Sequence, residues 1–255
     1  MISGLRKIRE ISQKTDAAAG TLYGYTSQFL PGAHHHIHIE ECHYTGTNRA
    51  TALAQVPFHH RPGEATLTYL LCGSLKFTTA TGDSGQILPG GCLWINNATG
   101  SNVEFESATP PMQEFWSVYV CARIPGGIDP VPPLSCEIQS ADIPVHRGED
   151  GTIVKVVAGE YEGLLGPLYM ESGTVLFLDI SIPPLTPFTV AIPREYRVLL
   201  YCLEGSGLYD YSSSQLIQSS ELIRYGRGEG ISLSTETEEV RLLLIGGTHT
   251  ALTEL

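Results

Sequence analysis

Thr68-Tyr69-Leu70-Leu71-Cys72-Gly73-Ser74-Leu75, followed by Leu88-Pro89-Gly90-Gly91-Cys92-Leu93-Trp94-Ile95, is echoed later in the chain. The second copy reads Leu200-Tyr201-Cys202-Leu203-Glu204-Gly205-Ser206-Gly207-Leu208, followed by Arg224-Tyr225-Gly226-Arg227-Gly228-Glu229-Gly230-Ile231-Ser232-Leu233. Each copy is an apolar strand ending in Gly, a short polar hairpin, and a second strand entered through a Gly-rich turn. This pattern predicts a duplicated small β-barrel. In a duplicated chain one copy can keep a ligand site while the other becomes scaffold. The functional question is then which copy carries polar groups on its inward face.

The chain has 255 residues, enough for two modest domains that each bury a core without disulfides or metal as staples. Its net charge is -12, and its densest basic run is only Leu5-Arg6-Lys7-Ile8-Arg9, so direct binding to a nucleic-acid backbone is not expected. The six cysteines show no Cys-x-x-Cys spacing, and four of them replace an apolar residue inside an expected strand. They read as small buried hydrophobes in a reducing compartment. No uninterrupted apolar run approaches the ~20 residues of a membrane span. The expectation is an intracellular, cytoplasmic protein that makes no membrane contact.

Residues 5–11 have the apolar spacing of a single helical turn, whereas residues 20–27 alternate like a strand. Residues 33–41 also alternate, with His34, His36 and His38 on one face and His35 on the other. Past His59 the chain reads as strand after strand. Pro125, Pro130, Pro132 and Pro133 lie between the repeats, where such spacing continues neither a helix nor an internal strand. That segment is the natural linker, giving an N-terminal domain of residues 1–130 and a C-terminal domain of residues 131–255. An all-β chain follows.

The residues also carry a family likeness. Gly63-Glu64-Ala65-Thr66-Leu67-Thr68-Tyr69-Leu70-Leu71-Cys72-Gly73 resembles, without a gap, the pirin segment G-F-E-T-V-T-Y-L-L-E-G. Ile153-Val154-Lys155-Val156-Val157-Ala158-Gly159-Glu160 with Gly163 and Gly166-Pro167 is similar to V-x-V-I-A-G-E followed by G-x-x-G-P, and Arg241-Leu242-Leu243-Leu244-Ile245-Gly246-Gly247 to the closing strand. The resemblance implies a bicupin, two cupin-type barrels (double-stranded β-helices) in one chain. It also implies an N-terminal barrel holding one iron through a His-x-His pair, a third His and a Glu. Some pirins are quercetin 2,3-dioxygenases; others are nuclear redox-sensing partners of transcription factors.

The implied ligands transfer only in part. In the motif H-P-H-R-G, counting back from Gly63 puts His59 at the first ligand and Arg61 at the second, with His60 at the Pro position. The third His and the Glu belong to a segment V-H-S-E. It matches Val103-Glu104-Phe105-Glu106 only if one residue is inserted between Trp94 and Val103. Glu106 then keeps the family Glu, Glu104 replaces the His, and both carboxylates face inward. Arg61 paired with either would neutralise the pocket without a metal.

Beside a third reading, in which the carboxylate pair serves as acid and base of a metal-free enzyme on another substrate, two readings lead. In one, the site is degraded, iron binding is weak or lost, and the protein binds a small aromatic molecule or a protein partner, in the cytoplasm or, by family resemblance, the nucleus. In the other, His59, His60, Glu104 and Glu106 hold Fe(II) in a quercetin 2,3-dioxygenase-like enzyme, where Glu106 or Glu104 takes the substrate proton. Tyr69, Trp94, Phe105, Phe115 and Trp116 are candidate walls for a flat ligand. Residues 44–57 are a candidate lid, His34–His38 a decorated frame strand, and the second copy a metal-free scaffold.

Overall fold

Leu75–Thr79 buries every second side chain, and Pro187–Ala191 does the same in the opposite phase. That period of two marks strands with one face on a core. The computed structural model describes residues 4–12, 15–16, 23–25, 38–44, 64–97, 103–109, 114–123, 134–168 and 175–248. Its regular structure is strand throughout, apart from the 3-10 turn Ser140–Asp142.

Two seven-stranded antiparallel sheets dominate. The first runs, in spatial order, Leu134–Ile138, Cys92–Asn97, Glu64–Cys72, Phe115–Arg123, His38–Tyr44, Tyr23–Tyr25 and Thr15–Asp16. The second runs Ile8–Ser12, Leu222–Tyr225, Tyr196–Glu204, Val240–Thr248, Val175–Ile182, Ile153–Ala158 and Val145–Arg147. The first has a three-stranded companion of Ser84–Ile87, Leu75–Thr79 and Val103–Ser107. The second has a four-stranded one of Pro187–Ala191, Gly230–Thr235, Leu208–Asp210 and Gln215–Ile217. Among the described residues no sheet closes on itself. Each large sheet and its small companion share one core, and the two closed barrels expected from the sequence are not confirmed.

The duplication extends to details. In Glu64–Cys72, Leu71 is an extra residue between the pairs Leu70↔Ser117 and Cys72↔Trp116; in Tyr196–Glu204, Leu203 is extra between Cys202↔Leu242 and Glu204↔Arg241. Each bulge is followed by a glycine in the left-handed region, Gly73 at φ 91° and Gly205 at φ 87°. A Cβ at Gly73 would meet the Thr109 hydroxyl, and one at Gly205 the Glu239 carbonyl. Only glycine suits either place.

The chain forms two compact units. One comprises Lys14–Asp142 with Leu252–Leu255; the other comprises Ile143–Ala251 with Met1–Gln13. The boundary drawn at residues 130 and 131 falls inside the first unit, because Leu134–Ile138 hydrogen-bonds to Cys92–Asn97 and forms that sheet's edge. Conversely Ile8–Ser12 is a strand, not a helical turn. It pairs with Leu222–Tyr225 and edges the second sheet. A lone helical turn is poorly stable, and ladder pairing overrides it.

Arg6 fastens this N-terminal segment. The side chain is fully buried, and its guanidinium donates from Nη1 to the carbonyls of Tyr196 (2.8 Å) and Gly226 (2.9 Å), and from Nη2 to that of Pro193 (2.6 Å). Burial holds its pKa below the usual arginine value, with Glu195 opposing. The second unit's core unites Val154, Leu178, Leu200, Leu242 and Leu244 of the large sheet with Phe188, Leu208, Ile231 and Leu233 of the small one. The first unit's core joins Leu70, Leu93, Phe115 and Tyr119 to Leu75, Phe77, Val103 and Phe105 in the same way.

Candidate functional site

The strand Val103–Ser107 decides where the expected carboxylates go. Val103 and Phe105 are 9% and 3% exposed and belong to the core, while Glu104 and Glu106 are exposed. The inward carboxylate pair expected from the sequence is therefore corrected: both face outward. Phe105 stands directly opposite Phe77 in the ladder, and packing these two rings inside fixes the phase of the whole strand. Without an inserted residue, Val103 and Phe105 are the residues that stand at the resemblance's His and Glu positions. Their counterparts in the second unit, Ile231 and Leu233, are equally apolar and buried.

On the outer face Glu106 lies opposite Lys76, which lies opposite Gln86; Glu104 lies opposite Thr78, which lies opposite Ser84. These residues line an open groove of about 460 Å³. His59, His60, Arg61, His34, His35 and His36 lie outside the described residues, as do residues 45–57. For His38 the backbone alone is described, paired with Cys121. Among the described residues no three His, Cys, Asp or Glu side chains come together as a metal cluster.

The inward face of the first large sheet holds something that sequence reasoning passed over. Thr66 (1% exposed), Thr68 (0%) and Ser117 (0%) are buried, and their hydroxyls have no hydrogen-bond partner among the described residues. Thr66 and Thr68 alternate with the core residue Leu70, and Ser117 lies between the core residues Phe115 and Tyr119 on its own strand. In the ladder Thr68 pairs with Tyr119 and Leu70 with Ser117, so on one face Thr68 neighbours both Thr66 and Ser117. The duplication names their counterparts. Val198 and Leu200 occupy the places of Thr66 and Thr68, and Leu242, paired with Cys202, occupies that of Ser117. All three are buried and apolar. The signal lay in the repeat itself, where Thr68 stands against Leu200.

The second unit satisfies its buried carboxylates, while Arg6 Nε and Thr152 Oγ1 are buried there without a hydrogen-bond partner among the described residues. Asp210, fully buried, accepts from Tyr225 Oη (2.7 Å), Ser212 Oγ (2.7 Å) and the Ser213 backbone N–H (2.8 Å). Burial, then the charge of Asp210, pushes the Tyr225 phenol well above its usual pKa. Asp179 takes a two-pronged contact from Arg241 (3.0 and 2.8 Å) with Lys155 at 3.6 Å. Such pairs hold a fold in register. Of the cysteines expected to be buried, Cys92 and Cys202 are, Cys72 is half-buried and Cys136 is exposed. Burial pushes the Cys92 and Cys202 thiols up to about 12, which leaves them inert as nucleophiles at neutral pH. Tyr69, Phe105, Phe115 and Trp116 are buried and Trp94 is half-buried.

No family model matches the chain. Pirin-like protein 2 of Arabidopsis thaliana is 27% identical over 200 residues, covering 76% of this chain and 61% of that protein. A crystal structure of quercetin 2,3-dioxygenase from Acinetobacter baumannii superposes with a TM-score of 0.80 at 20% identity, over 96% of this chain and 87% of that one. The bacterial pirin YhhW of Escherichia coli, solved in complex with nickel(II), gives a TM-score of 0.65 at 14% identity over 92% and 98% of the two chains. The fold is thus that of the cupins. The curated sequence relatives are pirin-like proteins, to which the chain is similar at 26–27% identity. Among the described residues no helix is long and apolar enough to cross a membrane.

Proposed function

We propose that this is a pirin-like bicupin whose N-terminal metal site has been lost, and that it acts as a binding or regulatory protein rather than as an oxygenase. The observation that carries this reading is the phase of Val103–Ser107. Two apolar side chains occupy the inward positions, and the two carboxylates expected in place of the family ligands point away from the core. An Fe(II) centre needs several convergent nitrogen or oxygen donors with open positions left over. Glu104 and Glu106 as oriented do not fit one, and Val103 and Phe105 offer no lone pair. The partner is a small molecule with an aromatic or otherwise apolar body, or a protein, met inside the cell in the cytoplasm or nucleus.

The other reading, a quercetin 2,3-dioxygenase-like enzyme using Fe(II) on His59, His60, Glu104 and Glu106, is favoured by the likeness in fold to the Acinetobacter baumannii enzyme. Aerobic assay with quercetin after iron loading separates the two. The binding-protein reading predicts no turnover above that of free iron. Turnover lost in both His59→Ala and Glu106→Ala would establish the enzyme.

A further inference from the structure

We infer that Thr66, Thr68 and Ser117 are the polar contacts of a metal-independent site, inside the first unit, for a small uncharged ligand with more than one hydroxyl or carbonyl group. The inference rests on the proposed loss of the metal and names what the first unit's interior binds in its place.

Three buried hydroxyls without partners are costly, since each gives up its water and receives nothing in return. The same scaffold has a less costly solution, and the chain uses it. At the matching places of the second unit stand Val198, Leu200 and Leu242, all inside the apolar core. The first unit keeps hydroxyls where an aliphatic side chain demonstrably fits this fold, so the missing partner is a molecule outside the chain. Their shared face makes them one surface. Thr66 and Thr68 are two residues apart on a strand, which separates their side chains by about 7 Å, and Ser117 is diagonal to Thr68 at about 7–8 Å.

The chemistry of the ligand follows from that of the contacts. Hydroxyls both donate and accept but supply no charge, and Leu70, Leu93, Ile95 and Phe115 on the same sheet face would leave an ion desolvated. Two or more neutral polar groups on a flat or compact apolar body satisfy the hydroxyls and the surrounding rings together.

The test uses the full chain stripped of metal with EDTA, resorcinol as a flat uncharged diol, and sodium benzoate as a charged ring of similar size. Saturable resorcinol binding by calorimetry is expected, with none for benzoate. Thr66→Val and Thr68→Val preserve side-chain shape. Each is expected to weaken resorcinol binding at least tenfold while raising the melting temperature of the unliganded protein by about 2–4 °C, the response to relieving one orphan hydroxyl. Thr78→Val, on the outer face of the small sheet, should change neither. Absence of saturable binding, or variants that melt higher and bind as wild type does, would overturn the inference and leave hydroxyls that are merely hydrated. Loss of binding in Thr78→Val would also overturn it by moving the ligand to the outer groove. Metal content is read on protein that has not met EDTA, so failure here leaves the loss of the metal standing. Binding that requires added iron would contradict both.

Discussion

The two halves of this chain share a large-sheet strand order, a bulge at Leu71 or Leu203 and a left-handed glycine at 73 or 205, yet they differ at the inward positions of their central strands. Val198, Leu200 and Leu242 fill the second interior; Thr66, Thr68 and Ser117 leave the first one polar. What the halves share is what any copy of this fold requires: ladder register, the turn after the bulge, and apolar residues between the sheets. The three positions where they part are not needed for folding, since the second half does without hydroxyls there. A difference of that kind is where function belongs.

The largest effect should come from the N-terminal strap, which only the second unit uses. Arg6→Ala leaves the carbonyls of Pro193, Tyr196 and Gly226 without their donor, at a cost of roughly 4 kcal/mol. Amide exchange in Leu222–Tyr225 should accelerate sharply while that in Glu64–Cys72 does not change, and equal acceleration in both would break the distinction between the units. Writing the first unit into the second, Leu200→Thr should cost on the order of 3 kcal/mol in urea unfolding, from lost apolar burial plus one orphan hydroxyl. A neutral result would remove the argument that the first interior is unusual.

The two glycines sharpen the comparison further. Alanine at either pays about 1–2 kcal/mol for a left-handed backbone. Gly205→Ala should cost more than Gly73→Ala, because a backbone carbonyl blocks the first and a side-chain hydroxyl the second. Equal denaturation midpoints would contradict this.

Alkaline pH should act on both halves alike. The Cys92 and Cys202 thiols ionise near 9.0 when unfolded but hold their protons to about 12 when folded, chiefly through burial, with Cys136 and Glu221 adding in turn. Folded pKa values above the unfolded ones mean stability is complete below pH 9 and falls as pH rises towards 12, by at most about 1.4 kcal/mol per pH unit for each thiol. Tyr225, with its phenol raised, steepens the fall above pH 10. In urea titrations at pH 8, 10 and 11, Cys202→Ala should flatten the dependence, and an unchanged slope would exclude that thiol.

The repeat was legible because glycine turns and apolar runs are local signals, and so was the all-β class. Strand exchange at the edges was not. The pairing of Ile8 with Tyr225 joins residues from opposite ends of the chain, and nothing in either segment names its partner. The outward turn of Glu104 and Glu106 was in fact written in the alternation Val-Glu-Phe-Glu, which puts Val103 and Phe105 inside by itself. Matching the strand to a motif required shifting it by one residue, and in a strand that shift reverses every side chain. Thr66 and Thr68 were hidden for another reason: threonine is at home on either face of a strand, so only burial together with the absence of a partner marks it.

The most direct test of a metal site given up in the first unit is elemental analysis of untagged protein produced in iron-supplemented medium and purified without chelator. The account predicts iron, nickel and manganese together far below one atom per chain. One metal per chain, lost on substituting His59→Ala and Glu106→Gln, would contradict it.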